Sequence, residues 1–210
     1  LSGATTGARQ VTVTAGSLDT SKGTLTSTGT QAMTLQVDRA LTNNGGTIAA
    51  NGAQQITAGS LSNIDGTLSA AGTGDTRINV LGTFDNTRGD VASNGRQLQI
   101  DAARLINEHG TLSHGGTESL SLTVGQLDGA KGTIVSAGAL ALHAGAVDHR
   151  GATLNATQLT VQAEAFNNQG GTVLATSGQA SSLTVSGVLD NGNGGTLASI
   201  RSLVMVSARP

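Results

Sequence analysis

One short pattern recurs nine times along this 210-residue chain. An apolar residue is followed, five to seven positions later, by Gly-Thr-aliphatic. The copies read LDTSKGTL from Leu18, LTNNGGTI from Leu41, LSNIDGTL from Leu61, FDNTRGDV from Phe84 and LINEHGTL from Leu105. They continue as LDGAKGTI from Leu127, VDHRGATL from Val147, FNNQGGTV from Phe166 and LDNGNGGTL from Leu189, the last with one inserted residue. Successive copies start 23, 20, 23, 21, 22, 20, 19 and 23 residues apart. A truncated copy containing VTVTAGSL precedes them. A period of this length marks a repeat architecture, in which one unit cannot bury its apolar face alone and stability comes from stacking. The nine copies are numbered here as coils one to nine.

Each copy carries a second run of alternating apolar and polar residues, such as MTLQV (33–37), INV (78–80), LQI (98–100), LSLTV (120–124) and LTV (159–161 and 183–185). Alternation at period two means strands with one face inward. The Gly, Thr and Val content and the lack of a 3.6-residue period disfavour helix. The fold expected is therefore all-β, a parallel β-solenoid of about 9–10 coils of roughly 21 residues, each with about three short strands and a spacing of ~4.8 Å to the next. That rise gives a rod of roughly 45 Å.

Aligned columns refine the expectation. Two positions after each start, Asn occurs at 43, 63, 86, 107, 168 and 191. Stacked Asn43, Asn63, Asn86, Asn107, Asn168 and Asn191 are expected to form an amide ladder along the axis. Five positions on, Gly fills every copy except the one with Ala152, which suggests a positive φ at one turn of each coil. Six on, Thr faces outward, with Asp90 the departure. Nine on, the residue is small except at His114, where a local bulge is expected.

Composition narrows function. Glycine numbers 31, and Cys, Trp and Tyr are absent. The core must therefore pack many small aliphatic side chains, and neither disulfides nor thiolate metal sites can form. A net charge of -2 with almost no aromatics offers nucleic acid neither a basic face nor stacking platforms. No apolar run approaches the ~18 residues of a membrane span, so no membrane insertion by this segment is expected. The opening LSGATTGARQ is no signal peptide, and the chain stops at SLVMVSARP in mid-pattern. Residues 1–210 are read as a single continuous segment cut from a longer array.

The LxNxxGTI copies with their alternating runs resemble the haemagglutinin repeats of filamentous-haemagglutinin-like exoproteins, especially at TNNGGTIAANG (42–52) and FNNQGGTV (166–173). That family comprises the large secreted partners of bacterial two-partner secretion, including contact-dependent-inhibition toxins. The resemblance implies a right-handed β-helix, on or released from a Gram-negative surface, serving adhesion or reach. It also implies an outer-membrane transporter as partner of the parent protein. The family's secretion domain carries Asn-Pro-Asn motifs; none occurs here, which places the segment in a central repeat region.

Candidate sites are few. Arg88-Gly89-Asp90 is the tripeptide that many animal integrins bind when a turn presents it; the alternative is a solvated turn in which the Gly column supplies Gly89. Lys22, Arg88, His109, Lys131 and Arg150 lie along one turn edge and could serve sulfated glycans, but Asp65 interrupts them and Asp19, Asp85, Asp128, Asp148 and Asp190 occupy the adjacent column. The acids are spread one per coil, with no third acid beside Asp128 and Asp148, so neither catalysis nor a cofactor is expected. His109 with His114, and His143 with His149, lack a companion set for a metal. The outward Thr rank has no second rank beside it. The reading is a structural stalk or adhesin segment, not an enzyme. The alternative is a module binding a host receptor or glycan, and uncapped strand edges add end-to-end self-association as an expectation.

Overall fold

A computed structural model describes residues 1–199 and 202–207. Among them every regular element is a strand, and the strands stack in parallel as a β-solenoid. Ten short strands form one sheet, from Thr5–Ala8 through Thr24–Ser27 and Thr47–Ala50 to Thr196–Ser199. The second sheet, of twelve strands, is built mainly of long ones such as Met33–Thr42, Gln97–Ile106 and Gln158–Asn167. Coil-to-coil register follows the sequence columns: Thr24 pairs with Thr47 and Thr47 with Thr67, while Asp90 sits between Thr67 and Thr111.

The expectation of three short strands per coil needs correction. Most coils have two strands, one of four residues and one of nine or ten that runs through a corner without losing its pairing. In Met33–Thr42 the inward residues are Met33, Leu35, Val37 and then Leu41, with Asp38 and Arg39 exposed at the corner. Coils of 19 to 22 residues place the inward residues on either side of the corner three apart, as in Ala102 and Leu105 or Val124 and Leu127. The three 23-residue coils place them four apart: Val37 and Leu41, Val80 and Phe84, Val185 and Leu189. Ladder irregularities fall at these corners, between Val37 and Ala40 and between Ala58 and Leu61. The extra residue turns outward, which explains why Leu81 is 74% and Val188 70% exposed.

The core is one coil wide and filled by Leu, Ile and Val, with Phe84 and Phe166 its largest side chains. Each fully buried aliphatic contributes about 1.5–3 kcal/mol, and the coils above and below supply many of its contacts.

The glycine column also departs from expectation. The left-handed residues are not Gly46, Gly66 or Gly89 but those one position earlier: Lys22, Gly45, Asp65, Arg88, His109, Lys131, Gly151 and Gly170. The glycines after them are required for space. A Cβ on Gly66 would lie 2.2 Å from the Asn43 carbonyl oxygen and 2.6 Å from Asn63 Oδ1. The exception, Ala152, stacks on the coil that has Gly129 instead of an asparagine and so meets no amide from it.

His114 makes no bulge. Its strand, Thr111–His114, pairs in straight register with both neighbours, and the side chain is 1% exposed. Nε2 lies 3.0 Å from the Gly95 carbonyl oxygen, an acceptor, so this nitrogen carries the proton. Nδ1 lies 3.1 Å from the Ser136 hydroxyl. Ring polarity is satisfied across three coils, and Gly116 leaves the room: a Cβ there would meet Nε2 at 2.7 Å.

Candidate functional site

The turn edge is where chemistry-bearing side chains gather. In coils one to eight the carbonyl at the Asn position accepts from the amide three residues on, as in Gly46 to Asn43 (3.1 Å) and Gly89 to Asn86 (3.0 Å). The residue before that glycine is left-handed and its amide bonds to the next coil, as Arg88 does to Glu108 at 3.0 Å. The turns are therefore stacked as tightly as the strands.

Beneath the edge the amide columns meet. Asn43 Nδ2 donates to Asn63 Oδ1, Asn63 to Asn86 and Asn86 to Asn107, each at 2.8 Å. Asn168 donates to Asn191 at 2.7 Å. Each Nδ2 also reaches the carbonyl of its own coil's Gly, for example Asn86 to Gly89 at 3.2 Å. Asn43, Asn63, Asn86, Asn107 and Asn168 are fully buried, so these bonds form out of water, where an unmade one is expensive. The structure thus brings the first four asparagines into one run and the last two into another. Sequence matching missed two members. Thr20 Oγ1 donates to Asn43 Oδ1 at 2.8 Å, and His149 Nδ1 lies 2.7 Å from Asn168 Oδ1. Both occupy the same column position; that position was the available signal, and residue identity hid it.

Between the two runs stands Gly129. Its φ lies outside the left-handed region, and a built Cβ meets nothing nearer than the Asp148 carbonyl oxygen at 3.3 Å. With Ala152→Gly removing the Cβ that would face the new amide, Gly129→Asn is expected to extend the ladder from Asn107, stabilising the fold by about 1 kcal/mol relative to Ala152→Gly alone. A urea melt would show this as a higher midpoint; a lower midpoint would contradict it.

Arg88, Gly89 and Asp90 lie on the coil-four turn. Gly89 is buried, while Arg88 and Asp90 are exposed. Asp90 starts the strand Asp90–Ser93, and its amide donates to Gly66 at 2.8 Å. Arg88 is already occupied: Nε and Nη2 bond both carboxylate oxygens of Asp65 on the coil below, at 2.7 and 2.8 Å. This fork-on-carboxylate geometry is the strong form of the contact. The Arg88 hydrogen bond holds the Asp65 carboxyl below its usual range, and Asp65 in turn raises Arg88.

Of the other residues on this edge, Arg150 is similarly engaged. Arg88, His109 and Lys131 fall on consecutive coils, while Gly45 and Asp65 separate them from Lys22. Arg150 folds back onto Asp148 at 2.6 Å, holding that carboxyl below its ordinary range. Asp128 and Asp148 pair across coils, and Asp128 accepts from Arg104 and Gln126. His109 and His143 are exposed, whereas His114 and His149 are buried. Among the described residues, no three His, Cys, Asp or Glu side chains are placed to hold a metal ion, and no helix is long and apolar enough to cross a membrane.

The sequence model for the haemagglutinin repeat matches residues 2–35, 32–88, 82–118 and 118–202. No curated protein and no solved structure gave a match.

Proposed function

Since the chain belongs to the haemagglutinin-repeat family, we propose that it is a spacer in a large secreted or surface-held exoprotein, projecting other domains from the cell. One observation carries this reading. Register is kept from coil to coil through both sheets and through the buried ladder, so the segment resists bending without any single contact being decisive. Side-chain variation lies mainly at the edges and corners, where the register shifts locally and pairing resumes beyond. In the parent protein, passage through an outer-membrane transporter as an extended chain, followed by coil-on-coil assembly, fits a fold whose contacts are all between neighbours. The transporter is part of this proposal.

A receptor-binding role for Arg88-Gly89-Asp90 is the second reading, favoured by the exposure of Arg88 and Asp90 on one turn. Asp65 weighs against it, because its carboxylate already fills the Arg88 fork.

One deletion tests both readings. Removing residues 84–104 excises coil four with the tripeptide and joins Thr83 to Leu105, which replaces Phe84 in its column. The spacer reading expects a folded rod about 4.8 Å shorter by small-angle scattering. It also expects adhesion of integrin-bearing cells to be the same on the immobilised parent, the deletion and Asp90→Thr. Saturable adhesion lost in both variants would establish the receptor reading instead.

A further inference from the structure

His149 is the one titratable group among the described members of the buried ladder column. Asn168 Nδ2 donates to Gly171, Asn191 and Thr196, so Asn168 Oδ1 is the acceptor and His149 Nδ1 holds the proton. Nε2 is then a bare lone pair, and it is buried without a hydrogen-bond partner. The ring lies against Phe166, with centroids 5.8 Å apart. Its column neighbour on the other side is Gly129, which has no side chain to accept a second N–H. The site is therefore built for one neutral tautomer.

The surrounding charges do not replace the missing acceptor. On its own turn, Asp148 is tied to Arg150. The turn below carries Asp128, bonded by Arg104, and Lys131; the turn above, 166–172, has no charged residue. A proton added at Nε2 would put a cation in a buried site where that nitrogen has no hydrogen-bond partner, and buried charge is costly unless paired.

We propose that coils six to eight form an acid-sensitive seam, at which protonation of His149 loosens stacking while the all-amide run from Asn43 to Asn107 stays closed. In a solenoid each coil touches only its neighbours, so one weakened interface opens locally and divides the rod into two separately stable lengths.

The direction follows from the environment. Burial pushes the His149 pKa below its ordinary 6.5, against the pull of Asn168, the Thr153 backbone and Asp148. A group depressed on folding contributes its full stability above the unfolded value. That stability is lost as pH falls from about 6.5 toward the native value, and the loss levels off below it.

Amide hydrogen exchange on the whole chain at about pH 7.5 and about pH 5, corrected for intrinsic rates, tests the seam. The amides of His149, Gly151 and Thr172 bond across it, to Asn167, Gln169 and Ala152; those of Asn63, Asp65 and Asp90 serve as the internal reference. Protection at the seam is expected to fall about ten-fold more than at the reference. His149→Asn, which continues the amide column, should abolish the difference. An equal fall in both regions, or a difference that survives the substitution, overturns the proposal. Imidazole nitrogen shifts of the unaltered chain give a second readout: the Nδ1–H tautomer is expected at neutral pH. Gain of the second proton without loss of seam protection also overturns the proposal.

Discussion

Gly110→Ala should destabilise the rod by about 3 kcal/mol, far more than a methyl group on a surface turn usually does. Its Cβ would lie 2.2 Å from the Asn86 carbonyl oxygen, 2.7 Å from Asn107 Oδ1 and 3.0 Å from Asn86 Nδ2. None of these atoms is free to withdraw. The Asn86 carbonyl accepts the Gly89 amide, and both side chains are held in the ladder. Gly45→Ala is the matching control. That glycine has φ 61° but only a lysine methylene within reach of a Cβ, at 3.9 Å. Its cost should be about 1 kcal/mol, from backbone conformation alone. Equilibrium urea unfolding of both variants decides the matter. Equal costs would mean that the column is glycine for some reason other than space.

Asn86→Ala should cost about 3 kcal/mol, the penalty for stranding buried partners plus the bonds themselves. Asn86 donates to Gly89, Asn107 and Thr111 and accepts from Asn63. After the change Asn107 Oδ1 loses its donor in a region that water does not reach. Asn191→Ala should cost less than about 1 kcal/mol, because Asn191 is exposed and water replaces what it loses. If the two substitutions cost the same, the ladder is incidental to stability.

The stacked fold was legible because the inward positions of a strand repeat at period two and the coils repeat at about 21 residues; together these place Leu41, Leu61, Phe84 and Leu105 in one column. Glycine was harder to interpret. The glycine conspicuous in most copies is not the left-handed residue in coils one to eight, and the left-handed position is hidden behind Lys22, Asp65, Arg88, His109 and Lys131. Composition records where a side chain is missing; it does not record whether torsion or crowding removed it. The ladder was read from its asparagines alone, since Thr20 and His149 share its geometry but not its side chain. The tie between Arg88 and Asp65 spans 23 residues of sequence and becomes visible only when coil rests on coil.

The corner that turns an extra residue outward also has a consequence for how such a molecule diversifies. Insertions at most places in a β-sheet invert every side chain beyond them. Here Leu81 and Val188 mark places where the chain has lengthened by one residue while Phe84 and Leu189 kept their partners in the neighbouring coils. The corner therefore acts as an expansion joint. It can accept new sequence, and with it new surface, coil by coil, without the interior having to be redesigned.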